Sequence, residues 1–427
     1  MQPSNTGNLM LRILPYPAAL SALKKYGKLG SKPGLSRIKK LLSILGNPQN
    51  DCKTIIVAGT NGKGSTAAML ASILSASGCI TGSYFSPHIF DFRERILLDG
   101  KKITKKDFSI SLSAALHAAA SKPFARDAPS FFEIATAAAL HYFAKKNCEW
   151  AVLEAGMGGR LDATNACNAA LSCITSISLD HTKWLGSTLR KIAFEKACVA
   201  KKGKPLVCAH ALPLPAKKEI KKICMQKGAK LVFPSSIDNS LAKSARLRLA
   251  GGFQISNAAV AACAARLLGM KKSAIISGLA SACLPGRMQI LSRKPFLLID
   301  SAHNPEASKM LANSLPFALP KNSHPRILLF SSMSDKDYKP SLRHLAQIFD
   351  FVVLFSLPLA RAEKTGKLSE AAILAGFPKN AVFSAPSPRR SLSLAKKLAG
   401  KKGAVVACGS MYSFQYLFCT HQFGLPQ

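Results

Sequence analysis

"VAGTNGKGSTAAML", Val57 to Leu70, decides the reading of this chain. The widespread phosphate-binding loop has the form G-x-x-x-x-G-K-[ST]. Here only Thr60 and Asn61 separate Gly59 from Gly62, and Gly64 stands between Lys63 and Ser65. The chemistry is nevertheless that of a phosphate cradle. Gly59, Gly62 and Gly64 allow positive φ and close backbone approach to oxyanions. The β-branched run "TIIVAG" (54–59) reads as a strand, and the Ala/Leu-rich "STAAMLASILSASG" reads as a helix closing at Gly78. Strand, glycine loop and helix in that order aim helix N–H groups at an anion. Lys63 supplies charge for the β- and γ-phosphates, and Ser65 or Thr66 a hydroxyl for phosphate or Mg2+. A plain glycine turn is the competing reading; it leaves the lysine and the hydroxyls in register unexplained.

The pattern continues outward. "FEIATAAALHYFAKK" (132–146) reads as a helix. "WAVLEAG" (150–156), "LSCITSISLD" (171–180), "PLVCAH" (205–210), "FLLIDSAHNP" (296–305), "RILLFSSM" (326–333), "FVVLFS" (351–356) and "GAVVACGS" (403–410) read as buried strands. Apolar strands alternating with helices predict an α/β fold with parallel sheets, whose ligands bind at the carboxyl ends of the strands. "LPGRMQILSRKP" (284–295) interrupts the pattern with Pro, Gly and charge. It divides the chain into a first domain, 1–287, and a smaller second one, 288–427.

The chain has 427 residues with 59 Lys+Arg against 21 Asp+Glu, a net charge of +38. Such an excess suggests polyanionic partners. The basic residues are scattered as pairs such as Lys39-Lys40 and Lys401-Lys402, the pattern of a solvated surface rather than of one binding stripe. Twelve cysteines form no C-x-x-C pair, which points to a reducing compartment without disulfides or zinc. No apolar run reaches the roughly 18 residues a membrane span needs. The stretch "NLMLRILPYPAALSAL" resembles a signal sequence only faintly, being broken by Arg12, Pro15 and Pro17. A cytoplasmic, soluble protein is expected.

Acidic residues are few, so their placement is informative. Glu154 ends the strand "AVLE", and Asp180 and His181 end "ITSISLD". Glu154 and His181 both fall at strand ends on the edge that carries the phosphate loop, within reach of a divalent ion. Alone, the first reads as a solvated acid and the second as a capping or core histidine. Lys196 in "IAFEKACVAK" reads alone as an ordinary helix lysine. Asp300 and His303 in "DSAHNP" follow a strand; Asp300 can grip a ribose hydroxyl or serve a local turn. Arg287 is a candidate cation closing on phosphate from the linker.

In order and spacing these motifs resemble the folylpolyglutamate synthase and dihydrofolate synthase branch of the Mur ligase superfamily. The resemblance runs over roughly residues 20 to 415. It comprises "VAGTNGKGST", "SPH" (86–88), "RERI" (93–96), "FFE" (131–133), "EAGMGGRLDATN" (154–165), "LDHTKWLG" (179–186), "EK" (195–196), "PGR" (285–287), "DSAHNP" (300–305) and "MSDKD" (333–337). The shortened loop is that family's version. The resemblance implies a P-loop, Mur-ligase-type central ATPase domain on a mostly parallel sheet, followed by a smaller Rossmann-like α/β domain. It implies that ATP is held by Gly59 to Thr66 with Asn257, Arg287, Asp300 and His303. It implies Mg2+ held by Ser65, Ser86, Glu154 and His181, with Lys196 joining as a carbamate. Lys63, His181 and Lys196 are the implied catalytic residues, and a monovalent cation is a further candidate. Phe85, Arg93, Phe132 and Ser410 are candidates for the substrate sites; core packing explains the phenylalanines equally well. Three departures stand out: Phe253 where relatives usually carry His, Ser301 where Gly is usual, and Lys183 where some relatives carry an acid.

The implied reaction is ATP-dependent amide ligation through an acyl phosphate. L-glutamate would be joined to dihydropteroate and to the tail of reduced folates by a monomer, with no membrane partner and no specific nucleic acid. A monofunctional enzyme of either kind is the alternative. Ligases acting on cell-wall precursors usually carry an extra N-terminal domain, for which a phosphate loop starting at Gly59 leaves little room. A nucleic-acid-stimulated ATPase, suggested by the charge, lacks any recognisable binding module.

Overall fold

The computed structural model describes residues 13–27 and 33–418; Arg12 and the residues before it, part of the faintly signal-like stretch, lie outside it. Among the described residues, two mostly parallel sheets form the frame. The first contains β1 (Lys53–Ala58), β2 (Thr81–Tyr84), β3 (Ile96–Leu98), β4 (Lys101–Lys102), β5 (Trp150–Glu154), β6 (Leu171–Ile174), β7 (Pro205–Cys208) and β8 (Lys230–Val232). Its spatial order is β4-β3-β2-β5-β1-β6-β7-β8. Only β3 is reversed, pairing antiparallel with β2 on one side and with the edge strand β4 on the other. The second sheet contains β9 (Gln289–Arg293), β10 (Phe296–Ile299), β11 (Arg326–Phe330), β12 (Phe351–Leu354), β13 (Val382–Ser384) and β14 (Ala404–Cys408). Its order is β13-β12-β11-β14-β10-β9, with β9 antiparallel. It begins at Gln289, within the stretch that the sequence marks as a boundary.

Helices cover both faces of each sheet, so central strands are apolar throughout. In β1, Ile55, Ile56, Val57 and Ala58 are all fully buried. Each Ile or Val removed from water contributes about 1.5–3 kcal/mol, offset in large part by chain entropy. Register then places the chemistry. Val57 pairs with Glu154 on one side of β1, and Ala58 pairs with Ile174 on the other. The phosphate loop therefore leaves the sheet between the end of β5 and the segment after β6.

That segment corrects one expectation. "LSCITSISLD" is not strand to its end: β6 stops at Ile174. Thr175 and Ser176 turn their hydroxyls to the Asn61 carbonyl, at 2.6 and 3.2 Å, while their backbones still bond to Ala58 and Thr60. Asp180 and His181 thus lie on a loop beyond the strand. His181 takes a left-handed conformation (φ 50°) and opens the short helix Thr182–Leu185.

Alanine-rich helices bring the layers unusually close. The phosphate-loop helix Lys63–Ala76 packs between the helices Phe253–Leu267 and Lys272–Ser281. At the latter contact Gly278 lies against the Ile73 backbone, where a Cβ would overlap it. We expect Gly278→Ala to destabilise the first domain by about 1–3 kcal/mol, the usual cost of overpacking. Denaturant unfolding of the variant against the parent measures it; an unchanged midpoint would show that the two helices can separate freely.

Candidate active site

The loop is held mainly by hydrogen bonds to and from its backbone. Thr60 N–H donates to the Ser176 carbonyl at 2.9 Å, and Asn61 N–H donates to Ser176 Oγ at 2.8 Å. Thr60 Oγ1 accepts from Ser178 N–H at 3.0 Å. Gly62 (φ 83°) caps the helix Lys63–Ala76, and a side chain there would collide with the Asn257 amide. Asn257 donates to Gln254 Oε1 at 2.9 Å, and Gln254 donates to Ser65 Oγ at 3.3 Å. Gln254 is fully buried and orients both sequence-predicted residues.

Lys63 Nζ donates to the Thr60 carbonyl at 3.0 Å. Burial lowers its pKa, with Glu154 and Asp180 acting in the opposite direction. Burial raises the Glu154 pKa, opposed chiefly by Lys63. Glu154 Oε2 accepts from Ser86 N–H at 3.0 Å, so the acid orients the loop that carries Ser86. Lys196 is buried and donates to the Gly59 carbonyl at 2.7 Å. Burial, reinforced by Lys63, pulls its pKa down to about 7.

A cavity of about 420 Å³ is lined by the whole loop from Gly59 to Ser65. Around it stand Ser86, Glu154, His181, Lys196, Asn257, Arg287, Asp300 and His303. Thr66, one residue further on, is buried in the helix with its hydroxyl unpartnered. A second cavity of about 590 Å³ adjoins the first, sharing Ser86, Gly156, Met157, His181 and His303. Its walls include Phe132, Asp162, Trp184, Lys336 and Ser410. Two candidates are placed elsewhere. Phe85 is packed into the core under the phosphate-loop helix and touches neither large cavity. Arg93 is folded back on Asp91 at 2.6 Å, outside both cavities, while its neighbour Arg95 lines the second. In "RERI" the two arginines lie on one short 3-10 helix, Phe92–Arg95, and turn to different sides of it, which sequence alone does not resolve.

Asp300 faces the first cavity, but its two oxygens accept the N–H groups of Met288 and Ala302, each at 2.8 Å. It thereby ties the linker to the second sheet. Ser301 has a comparable duty: its hydroxyl donates to the Gly286 carbonyl at 2.7 Å. The departure from Gly at 301 therefore adds a linker contact. Phe253, the other departure, lines the nucleotide-side cavity and packs partly against the second domain's core.

The two domains meet across Asp180. Its Oδ1 accepts from Lys336 Nζ at 2.6 Å and its Oδ2 from Asn304 Nδ2 at 3.1 Å, with His303 Nε2 at 3.6 Å. Asn304 also exchanges amide bonds with Asn61, at 2.9 and 3.2 Å, and caps the helix Pro305–Ala318 through Ala307 N–H. Burial opposes ionisation of Asp180, but His303 and Lys336 hold its carboxyl far below the usual range. His181 is held down to about 4, mainly by desolvation, so its imidazole is neutral.

The donor set suits a hard divalent ion. One carboxylate (Glu154), one hydroxyl (Ser86) and one neutral imidazole (His181) face the cavity, and no group of three or more His, Cys, Asp or Glu gathers among the described residues. Mg2+ typically takes one or two carboxylates and completes its octahedron with water and substrate phosphate.

The comparisons with known proteins agree with this geometry. Residues 57–265 match the family model "Mur ligase middle domain", and residues 286–411 match "Mur ligase, glutamate ligase domain". The dihydrofolate synthase/folylpolyglutamate synthase of Bacillus subtilis is 32% identical over 413 residues, covering 90% of this chain and 94% of that protein. The chain belongs to the dihydrofolate synthase/folylpolyglutamate synthase family of Mur ligases. A probable bifunctional folylpolyglutamate synthase/dihydropteroate synthase of Haloferax volcanii is also 32% identical, over 93% of this chain; the chain spans only 50% of that longer protein. Among solved structures, the bifunctional enzyme of Yersinia pestis complexed with AMPPNP and Mn ion superposes with a TM-score of 0.83 at 28% identity. That match covers 99% of this chain and 100% of the other. No helix among the described residues is long and apolar enough to cross a membrane.

The Asp180 contact yields a pH prediction. A carboxyl whose folded pKa is depressed contributes stability above its unfolded pKa, near 3.9, and loses it as pH falls towards the folded value. The difference in melting temperature between the parent and Asp180→Asn is therefore expected to be constant from about pH 7 to pH 5 and to shrink below about pH 4. Thermal melts across that range decide it; a difference that grows on acidification contradicts the assignment.

Proposed function

We propose that this chain joins L-glutamate to dihydropteroate and to the glutamate tail of reduced folates, using ATP. The observation that carries the reading is the junction of the two cavities at Ser86, His181 and His303, between a phosphate cradle and the second domain. A carboxylate entering from the larger cavity meets the γ-phosphate end of a nucleotide held by the loop. Its oxygen attacks phosphorus and ADP leaves, giving an acyl phosphate. The glutamate amine then attacks the carbonyl and phosphate departs, leaving an amide.

The first step brings anion to anion, so positive charge must be concentrated there. Lys63 and Arg287 supply it from the two sides of the nucleotide cavity. Glu154, Ser86 and His181 are the residues that would hold Mg2+, which offsets phosphate charge when bound. Closure of the second domain through Asp180 keeps water from the acyl phosphate. The Ser410 and Lys336 side of the larger cavity, contributed by the second domain, suits glutamate. A monomer is the proposed working unit.

The reading is tested by ADP release with Mg2+, ATP and L-glutamate, offering dihydropteroate and tetrahydrofolate separately. Turnover with both is expected. Turnover with one reduces the assignment to a single activity, and turnover with neither removes it. Lys63→Met is expected to lower kcat by a factor on the order of 10² or more while the chain still folds.

Lys196 is proposed to act as a carbamate, which requires its neutral amine. With a pKa near 7, the neutral fraction grows from pH 6 to pH 8. Enzyme stripped of CO2 is expected to lose activity and to recover on adding CO2, faster at pH 8 than at pH 6 when the two are compared at equal dissolved CO2. Carbon-13 labelling of the carbamate reads the same event; full activity without any label would exclude it.

A further inference from the structure

Arg95 is a buried cation whose charge no residue balances at close range. It is 7% exposed, and its Nε donates to His88 Nδ1 at 2.9 Å. The guanidinium lies 5.1 Å from the Phe92 ring centre and 5.7 Å from that of Phe131. The Tyr84 hydroxyl stands beside it. All of these neighbours are uncharged.

Other arginines differ: Arg37, Arg93, Arg160, Arg190 and Arg266 each pair with a carboxylate. No such pair involves Arg95 among the described residues, and the nearby acids are engaged elsewhere. Glu94 accepts the N–H groups of Ile89 and Asp91. Asp162 accepts those of Gly156, Met157 and Thr164. Removing a charge from water without a counter-charge is costly, so such a group is kept for something it binds. Arg95 faces the larger cavity, and its charge is felt at Glu154, which places it near the reacting centre. A guanidinium bordered by two aromatic rings that meet edge to face is restrained by them, and its planar fork matches a carboxylate.

We propose that Arg95 is the anion seat of the larger cavity and receives the carboxylate of the acyl substrate before that carboxylate is phosphorylated. The inference rests on the ligase reading above and adds the residue that recognises the acceptor's charged end. Phe92 and Phe131 border the guanidinium, and His88 occupies Nε, leaving the terminal N–H groups, next to the Tyr84 hydroxyl, for the ligand.

The test measures binding of dihydropteroate, and of its carboxamide analogue, to enzyme loaded with Mg2+ and a non-hydrolysable ATP analogue. The parent is expected to prefer the acid by a factor on the order of 10 to 100, the range for hydrogen bonds to charged groups. Arg95→Met should abolish that preference while leaving carboxamide affinity unchanged, and Arg95→Lys should keep part of it. Unchanged melting temperature and nucleotide affinity report an intact fold. Equal weakening of both ligands by Arg95→Met would assign the guanidinium to the ring and overturn the proposal. Should that variant fail to fold, the parent alone decides: equal binding of acid and carboxamide overturns the seat, and a preference for the acid that Arg95→Lys reduces supports it. If the parent binds neither pterin ligand, the folate reading fails separately. The seat is then probed with 4-aminobenzoate: binding that Arg95→Met removes supports it, and no binding to the parent overturns it.

Discussion

The site depends on keeping side chains out of the space where the ends of β1 and β5 and the segment after β6 converge. A triphosphate needs backbone N–H groups at van der Waals range, and a Cβ at Gly62 would meet the Asn257 amide there. The absence of those side chains has a conformational cost, because a glycine loop has much freedom to lose. The compensation is external. Ser176 and Ser178 hold Thr60 and Asn61 by hydrogen bonds, and Thr175 grips the Asn61 carbonyl. The early end of β6 is thus the condition for an ordered loop.

The same loop reaches the second domain. Asn61 exchanges amide hydrogen bonds with Asn304, and Asn304 binds Asp180, which also holds Lys336. One buried carboxylate thereby joins a phosphate-loop residue, a helix cap and a lysine from the other sheet. Coulombic attraction in a half-buried setting is stronger than at the surface. The three partners give Asp180 a satisfied environment that a lone ion pair would lack. His181 follows directly, so the position of that imidazole is coupled to the seating of the second domain.

Charge of both signs lines the cleft: Lys63, Lys196 and Arg287 face the first cavity with Glu154, Asp180, Asp300 and Glu306, and Arg95, Arg160, Lys336 and Arg361 face the second with Glu133, Asp162, Glu195 and Asp335. Lys336 pairs with Asp180, whereas Lys63, bonded to the Thr60 carbonyl, acts on Glu154 only through its field. Arg95 lines the larger cavity and Arg287 the smaller, neither in an ion pair with a carboxylate among the described residues. The scattered surface lysines have no part in this arrangement, as their pairwise spacing in the sequence suggests.

The strand-loop-helix order around Gly59 and the placement of Glu154 at a strand end follow from local pattern, because β-branched runs, glycines and breakers act on their own few neighbours. The short strands β2, β3, β4, β8 and β13 leave little periodic signal, since each is too brief to show alternation. Long-range hydrogen bonds are likewise invisible in one dimension. Gln254 behind Ser65, Asp180 between the domains and Arg95 rather than Arg93 on the cavity wall all depend on register between strands and on which face a residue turns. The sequence by itself determined the chemistry of the loop and the family of folds that can present it. Only the tertiary structure decided which charges are paired and which are left for a ligand, because pairing depends on distances between residues as far apart in the chain as Asp180 and Lys336.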